Sequence, residues 1–395
     1  MPELPEVETI AADLRRLVTG ARIVGASSNW PKTLRSHDPG SFARAVAGRD
    51  IQGVGRRGKQ LLVWLGPSNE PHAGAIGRPA EPPGTGFERP AEPPDAEPAV
   101  MTVHLKMTGQ LFVVPAGAPD DRHVHVVLAL ADGRELRFRD IRKFGRIGLY
   151  RRDEASGEPA AGEAAGVLAR GAEPLADGFT ARRFAEALAR RRGRLKMLLL
   201  NQDFLAGVGN IYADEALWRA RLHPLRDARS LRADDARRLH KALRDVLAEA
   251  VERRGSSVDD YTAPEGDGSM QEHLQVYQRA GEPCDRCDRP IRRIVLGGRS
   301  THFCSWCQRL PADQRPAAAK LLRGTGGGAV DAPDRARRGP RWTELAGAGA
   351  LCRTTDEESR ATRAAERSAE RARRIAAARK AAATRRAAAR AGEAG

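Results

Sequence analysis

The first residues of the chain could supply a nucleophile with a proton-transfer group beside it. Removal of the initiating methionine would expose the backbone nitrogen of Pro2 as a secondary amine, one residue from the Glu3 carboxyl group. An α-amino group has an ordinary pKa of about 7.7–8.0, so a useful fraction is uncharged near neutral pH. Such an amine can attack a sugar carbon and form an imine, while the carboxylic acid moves the required protons. The alternative is an ordinary helix start, because Pro5 and Glu6 are typical of a first turn.

Four of the five cysteines form two Cys-x-x-Cys pairs, Cys284 with Cys287 and Cys304 with Cys307. Four thiolates in two close pairs complete a tetrahedral Zn²⁺ site and leave no position open for a substrate. The spacing therefore predicts one structural zinc ion in a reducing compartment, with a redox pair or buried free thiols as the alternatives. Cys352 is left over.

The charge of the chain indicates a polyanionic partner. Its formal net charge is +16 and its pI is about 10.4, which favours nucleic acid over a membrane surface. Residues 312–395 contribute much of this excess, with 19 Lys/Arg against 10 Asp/Glu. The sequence shows no leader peptide and no apolar run of about 18 residues. We therefore expect a soluble cytoplasmic protein with no membrane partner.

The elements that would position these groups begin with a helix and continue as short strands. Val7, Ile10 and Leu14 repeat at helical spacing. Residues 60–65, 100–105 and 123–130 are rich in β-forming side chains, and Asp132-Gly133 is a hairpin signal. We expect a two-sheet β-sandwich flanked by the N-terminal helix and by a second helix near 41–46.

The rest of the chain alternates between ordered and low-complexity segments. Residues 67–99 are Pro-rich and predict a flexible insertion, and residues 154–178 predict a linker. Helical patterns follow, and the longest, at 231–254, is expected to be capped by Ser230 and stopped by Gly255. Residues 312–395 predict a disordered basic tail.

Several of these segments stand in the order that a known family shows. They are MPELPEVET at 1–9, RRGKQ at 56–60, HLKMTG at 104–109, DIRKFG at 140–145, NQDFLAGVGNIY at 201–212 and the cysteine module. Through them, residues 1–311 resemble the bacterial formamidopyrimidine-DNA glycosylases. Members of this family excise oxidised purines from double-stranded DNA and cut the strand by β,δ-elimination.

The resemblance implies a multidomain α+β fold. Its parts would be a catalytic β-sandwich at 1–153, a linker at 154–178, a helix–two-turn–helix domain with a lesion-capping loop at 179–275, a zinc-finger β-hairpin at 276–311 and the tail at 312–395. A monomer, associated with the bacterial nucleoid through DNA, is expected.

The resemblance also assigns roles to residues. Pro2 would attack the sugar, Glu3 would handle protons, and Lys59 and Arg299 would donate protons during the two eliminations. Glu6 would support the site through hydrogen bonds. The implied DNA contacts are His104, Met107, His123, Arg142, Phe144, Arg191, Lys196 and Asn210.

Some of these DNA contacts have an ordinary interpretation as well. Met107, Arg142 and Phe144 would enter the duplex and fill the gap that the extruded base leaves. Without the resemblance, Met107 and Phe144 would be taken as core residues and His123 as structural. Arg191 and Lys196 would be taken as part of a solvated helix face.

Two other functions stay open at this stage. A sister family that resembles endonuclease VIII acts on oxidised pyrimidines, but it usually begins Pro-Glu-Gly-Pro-Glu, whereas Leu4 follows Glu3 here. A zinc-containing DNA-binding protein without chemistry would need neither Pro2, Glu3 nor Lys59.

The chain departs from the family in several places. They are the 67–99 insertion, the tail, Lys106 where a small residue is usual, and Gln278 where glycine is usual. Gln278 lacks glycine's freedom at positive φ, so the approach to the zinc module is expected to change.

Overall fold

The structure is a computed structural model that describes residues 1–67, 97–256 (apart from 120, 161, 164 and 165) and 268–323. All of these residues belong to one unit, Met1–Trp342. Most of the predicted insertion, most of the predicted lesion-capping loop, the tail beyond residue 323 and Cys352 lie outside the described residues.

The N-terminal helix α1 spans Leu4–Val18 and begins with a reciprocal cap. The Glu3 N–H donates to the Glu6 carboxylate at 2.8 Å, and Pro5 lies in the first turn, where its missing N–H costs nothing. Val7, Ile10 and Leu14 form the buried stripe that packs on the sandwich. The helix therefore fixes the direction in which the chain's first residues point.

Eight strands form the predicted sandwich as two four-stranded antiparallel sheets. The strands are β1 Ile23–Ser28, β2 Asp50–Arg57, β3 Gln60–Gly66, β4 Ala99–His104, β5 Gly109–Pro115, β6 Val124–Leu130, β7 Arg134–Asp140 and β8 Arg146–Arg151. Their orders are β1-β6-β7-β5 and β2-β3-β4-β8, and helix α2, Pro39–Val46, packs on β1. The predicted hairpin turn joins β6 to β7, with Gly133 at a φ of +80°. His123 lies just before β6 and not within it.

Among the described residues, four α-helices lie between the sandwich and the cysteine module. They are α3 Ala181–Ala189, α4 Leu195–Leu199, α5 Asn210–Arg219 and α6 Ala233–Glu252. The predicted Ser230 cap is wrong, because Ser230 ends a 3₁₀ turn and α6 begins after it. The Asp235 carboxylate accepts from the Arg232 N–H at 3.1 Å instead. Gly255 does end the helix, with a φ of +75° and its N–H donating to the Ala250 carbonyl at 2.7 Å.

The second half of the predicted linker is packed against the rest of the protein. The Gly171 N–H donates to the Gln202 carbonyl at 2.9 Å, and the Glu173 carboxylate accepts from the Arg56 guanidinium at 2.6 Å. This segment therefore ties the β2 edge of the sandwich to the loop before α5.

The cysteine module contains the predicted hairpin, formed by β9, Arg292–Leu296, and β10, Arg299–Phe303. Gly297 and Gly298 join the strands with φ values of +56° and +74°, as a tight two-residue turn requires. Arg299 therefore stands exposed at the tip, as predicted.

The predicted disordered tail is wrong for its first twelve residues. Residues 312–314 form a 3₁₀ turn, and Arg315–Arg323 form helix α7. Ala318, Leu321 and Leu322 pack into a hydrophobic cluster with the hairpin. This apolar stripe gives the segment a buried face that its overall composition does not suggest.

Lys106 and Gln278 adopt the left-handed backbone conformation that glycine would favour, with φ values of +56° and +57°. Each conformation costs about 1–2 kcal/mol for a residue with a Cβ atom. The backbone at Gln278 therefore adopts the conformation that glycine would favour. The expected change in the approach to the zinc module stays a prediction. Among the described helices, none is long and apolar enough to cross a membrane.

Candidate active site

The Glu3 carboxylate lies at the N-terminus of α5. The Ile211 N–H donates to it at 2.9 Å and the Tyr212 N–H at 3.4 Å. Gly209 makes this approach possible, because a Cβ atom there would lie 2.2 Å from the Glu3 Cδ. The anion pocket predicted at Gly-Val-Gly-Asn therefore exists, but the anion that fills it is the protein's own carboxylate.

The loop before α5 also fixes the chain's first residues. The Leu4 N–H donates to the Gly207 carbonyl at 3.0 Å, and a Cβ atom on Gly207 would lie 2.7 Å from the Leu4 Cβ. Gly207 has a φ of +85°. Pro2, which precedes Glu3 in the chain, is also buried.

Glu3 and Lys59 are both almost completely buried, and each shifts the proton affinity of the other. Burial raises the pKa of Glu3, while the Lys59 ammonium opposes this shift. Burial lowers the pKa of Lys59, Glu3 opposes that shift, and the Arg299 guanidinium adds to it. The structure thus brings three of the four predicted catalytic residues into electrostatic contact. An acid and an amine that are both pushed toward their neutral forms are suited to proton transfer.

Glu6 supports the site through hydrogen bonds, as expected. Its carboxylate accepts from the Glu3 N–H at 2.8 Å, the Tyr212 hydroxyl at 2.5 Å and the Ser256 N–H at 2.8 Å. Burial and the neighbouring Glu6 hold the pKa of Tyr212 well above its usual value, so its hydroxyl stays a donor. Tyr212 was not predicted as a site residue, although it ends the Gly-Val-Gly-Asn-Ile-Tyr segment at 207–212.

Met107, Arg142 and Phe144 lie together on two neighbouring turns and are exposed. Met107 is 40% exposed and Phe144 is 52% exposed, which excludes the interpretation of both as core residues. The Arg142 Nη1 lies 3.3 Å from the Met107 Sδ. Asp140 joins the two turns, because its buried carboxylate accepts from the Thr108 hydroxyl at 2.5 Å and the Gly145 N–H at 2.6 Å.

His104 is held as a neutral donor. Its Nδ1 accepts from the Lys106 N–H at 3.0 Å, which leaves the proton on Nε2. Burial and the charges of Lys106 and Lys59 lower the pKa of His104 to about 3. His123 lies near the Asp140 turn, since its carbonyl accepts from the Asp140 N–H at 2.8 Å.

A basic cluster beside His104 was not predicted. Arg146 pairs with His104 across β8 and β4, and the Arg35 N–H donates to the Ile147 carbonyl at 2.8 Å. Arg35 and Arg146 lie close enough to Lys106 to lower its pKa further, after burial. No ion pair to a carboxylate is found for these three side chains within the described part of the chain. These three residues cluster because of the strand register, which no local sequence motif predicts.

Lys196 is wrong as a predicted DNA contact. Its side chain is completely buried, and its Nζ lies 2.7 Å from the Asp214 carboxylate and 2.9 Å from the Ser300 carbonyl. The reason is that α4 lies beneath β10, so this helix face is covered. Arg191 is exposed and near the Phe204 ring, and Asn210 begins α5; their DNA contacts stay predictions.

The four cysteines of the two pairs meet in one place. Their Sγ atoms all lie within 4.8 Å of one another, and Cys284 and Cys304 are fully buried. Tetrahedral zinc with Zn–S bonds of about 2.3 Å separates its sulfur ligands by about 3.8 Å, so the set fits one structural zinc ion. The Trp218 Nε1–H points at the Cys284 Sγ, 3.5 Å away, as an outer-shell donor would.

Three family models match the chain in this order. The formamidopyrimidine-DNA glycosylase N-terminal domain matches residues 1–147, the H2TH domain of the same enzymes matches 170–262, and a zinc finger found in FPG and IleRS matches 281–310. A formamidopyrimidine-DNA glycosylase of Herpetosiphon aurantiacus is 46% identical, over 78% of this chain and 100% of that protein. One of Bacillus subtilis is 38% identical, over 78% and 99%.

Solved structures agree with these matches. The crystal structure of MutM (Fpg) from Thermus thermophilus is 39% identical with a TM-score of 0.62, covering 78% of this chain and 100% of that one. A complex of Lactococcus lactis Fpg with DNA that contains an abasic site is 31% identical with a TM-score of 0.63, covering 78% and 99%. The chain therefore belongs to the formamidopyrimidine-DNA glycosylase family.

Proposed function

We propose that this chain is a bifunctional DNA glycosylase and AP lyase that excises oxidised purines, 8-oxoguanine and formamidopyrimidines, through its N-terminal proline. Its curated relatives are named for formamidopyrimidine excision, and solved relatives hold DNA with Fapy-dG or an abasic site. The observation that carries the assignment is the buried Glu3–Lys59 pair beside Pro2. Binding alone needs no such pair.

In the proposed reaction, the Pro2 nitrogen forms a bond to the sugar C1′ as the glycosidic bond breaks. The base leaves with the bonding electrons and takes up a proton, while Glu3 handles the protons of the sugar and amine. The C1′–O4′ bond of the sugar then breaks, O4′ takes up a proton from Glu3, and the resulting iminium ion acidifies the neighbouring carbon. Loss of a proton there expels the 3′ phosphate, and a second elimination expels the 5′ phosphate. Lys59 and Arg299 are the proposed proton donors.

The proposed DNA surface runs along the exposed turns of the sandwich. We assign base-gap filling to Met107, Arg142 and Phe144, since these side chains are already exposed together. Contacts with the DNA backbone are assigned to His104, His123, Arg191 and Asn210. We add Arg35, Lys106 and Arg146, because cations without a carboxylate partner suit phosphate groups.

The zinc ion is structural. Four thiolates leave it no open position, so it shapes the hairpin and supplies no chemistry of its own. The proposed domain division is the one expected from the sequence: 1–153, 154–178, 179–275, 276–311 and 312–395. A monomer in the cytoplasm, held at the nucleoid by DNA, is the state proposed for the enzyme, and reduced thiolate ligands suit that compartment.

Borohydride trapping tests the covalent route. An abasic duplex reduced with the enzyme is expected to give an adduct on the N-terminal peptide, and intact mass should show that Met1 is absent. Glu3→Gln should slow base release by about 10²–10⁴-fold. Pro39→Ala serves as the control, because Pro39 also begins a helix, but one that packs on β1.

Three outcomes would overturn the proposal. Pro2→Gly protein that cuts DNA and forms the trapped adduct as well as wild type would exclude Pro2 as the nucleophile. An active enzyme that retains Met1 would exclude it as well. Faster cleavage of a thymine-glycol duplex than of an 8-oxoguanine:cytosine duplex would move the substrate to oxidised pyrimidines.

A further inference from the structure

Helix α7 lies beyond the part of the chain that the family accounts for. The zinc-finger match ends at residue 310, and α7 spans Arg315–Arg323. Nothing in the proposed reaction uses this helix. It does contact the hairpin that carries Arg299, through β9 and a shared hydrophobic cluster.

The apolar face of α7 covers the zinc hairpin. Ala318 is 3% exposed, and Leu321 and Leu322 pack into the same cluster. The other members of that cluster come from both strands of the hairpin, from the loop after α5 and from the segment that leads to α7; they are Ile294, Leu296, Phe303, Leu225 and Leu310. The helix therefore closes a core that the hairpin could not form alone.

Two polar contacts fix both ends of this segment. The Arg292 guanidinium, at the start of β9, donates to the Leu322 carbonyl at 3.2 Å. The Gln314 side-chain oxygen accepts from the Asp227 N–H at 2.8 Å, in the turn before α6. Helix α7 is thereby tied both to the hairpin and to the helical region on which the hairpin rests.

The covered cluster reaches the residue opposite Arg299. In the β9–β10 pair, Leu296 is the direct partner of Arg299, and it is only 3% exposed. Directly opposed residues of an antiparallel pair project from the same face. The packing of Leu296 therefore sets where the backbone of Arg299 lies.

Helices α4 and α5 also contact the hairpin, through β10. The Lys196 Nζ donates to the Ser300 carbonyl and the Thr301 hydroxyl, both at 2.9 Å. A Cβ atom on Gly297 would lie 2.7 Å from the Met197 Cε, so the tip rests on α4. The position of the hairpin therefore depends on these helices as well as on α7.

We propose that α7 is a positioning element for Arg299. By covering the apolar face of the zinc hairpin, it holds Arg299 in the position that the second elimination requires. The proposal rests on the role assigned to Arg299 above. Zinc fixes the base of the hairpin, where Cys304 follows β10, whereas Arg299 stands at the other end of that strand. A two-stranded hairpin is marginal in water by itself, so its tip depends on what packs against it.

The test uses full-length, zinc-loaded protein with substitutions in α7 and in the 3₁₀ turn before it. The double variant Leu321→Ala/Leu322→Ala removes apolar contacts with the hairpin, and Gln314→Ala removes the bond to Asp227. Lys320→Ala is the matched control, because Lys320 lies on the exposed face of the same helix. On an abasic duplex, the ratio of δ- to β-elimination product is measured for each protein, together with zinc content, melting temperature and excision rate.

We expect the double variant to lower the δ/β ratio about tenfold, because small displacements of a catalytic group cost this much or more. Gln314→Ala should lower it less, and Lys320→Ala should not change it. Base release should stay within about twofold, since Pro2 and Glu3 do not contact α7. If α7 only adds stability, the double variant should lower the melting temperature and leave the δ/β ratio unchanged.

An Arg299→Ala variant separates the two possible failures. If it lowers the δ/β ratio while the double variant and Gln314→Ala do not, α7 is not a positioning element. If Arg299→Ala itself leaves the ratio unchanged, the role assigned to Arg299 is wrong, and with it the proposal for α7.

Discussion

Glu3 illustrates how one side chain can serve the fold and the chemistry together. Its backbone begins α1 while its carboxylate occupies the N-terminus of α5, where the Ile211 and Tyr212 N–H groups point at it. These donors favour the charged form, whereas burial favours the acid and prevails, so the pKa of Glu3 is raised. A carboxyl group that keeps its proton to higher pH than a free glutamate is a better acid near neutrality.

Met107 and Phe144 should be functional residues that contribute little to stability. Because they are 40% and 52% exposed, Met107→Ala and Phe144→Ala should change the free energy of unfolding by less than about 0.5 kcal/mol. Excision should nevertheless slow by an amount that corresponds to about 1–3 kcal/mol, since stacking against an unpaired base is lost. Denaturant unfolding and single-turnover excision measure the two effects.

Met101 provides the control for this comparison. It has the same side chain as Met107 but lies in β4 with no exposed surface, so Met101→Ala should cost about 2–5 kcal/mol of folding stability. If Met107→Ala were as destabilising as Met101→Ala, Met107 would have to be assigned to the core.

Among the elements, α5 relates the nucleophile to the zinc hairpin. Its first turn binds the Glu3 carboxylate, and one turn later Asp214 accepts from the His302 N–H at 2.8 Å in β10. Glu215 then accepts from the backbone N–H groups of residues 275–277, at 2.8–2.9 Å. A single rigid helix therefore sets the distance between Glu3 and the strand that carries Arg299.

The Lys196–Asp214 pair should be essential to this arrangement while making no contact with DNA. Both side chains are completely buried and their charged atoms are 2.7 Å apart. Lys196→Met should cost about 3–5 kcal/mol of folding stability, because it leaves the buried Asp214 charge unpaired. The double variant Lys196→Met/Asp214→Asn should recover much of this loss. Denaturant unfolding of wild type, both single variants and the double variant measures the coupling.

DNA binding distinguishes this structural role from the contact predicted by sequence. In folded Lys196→Met/Asp214→Asn protein, the slope of log affinity against log salt should equal that of wild type. A slope smaller in magnitude by about 0.9, the value for one phosphate contact, would restore Lys196 to the DNA surface.

Local chemistry was predictable from the sequence, and long-range packing was not. The cysteine spacing defines a metal site by itself, and alternating side chains with Asp132-Gly133 define strands and a turn. Lys196 looked solvent-exposed because nothing in its neighbours shows that β10 covers it. Helix α7 was hidden by an Ala/Arg-rich composition, since its few apolar residues matter only when a hairpin face is beside them.

At the scale of the whole molecule, charge is divided between a folded surface and a long C-terminal segment. Residues 324–395, which lie outside the described residues, carry 16 Lys/Arg and 9 Asp/Glu. The surplus is spread along a low-complexity sequence, whereas the cations around His104 are placed by strand register. The first should add affinity for any DNA, and the second should act only where the duplex meets the active site.

Removal of residues 324–395 should therefore weaken DNA binding without slowing the chemistry. A chain that ends at Arg323 keeps α7, so its excision rate at saturating enzyme should match wild type. Its affinity for undamaged duplex should fall, and the slope of log affinity against log salt should lose about 0.9 for each phosphate contact removed. Fluorescence anisotropy across a salt series measures that slope.

A full-length chain with Arg371, Arg373 and Arg374 changed to glutamine separates charge from length. Its slope of log affinity against log salt should lie between those of wild type and the truncated chain. The reason is that counterion release depends on the number of cations at the phosphates and not on chain length. Equal slopes for all three proteins would show that the tail does not contact DNA. The positive charge that binds the duplex would then reside entirely in residues 1–323.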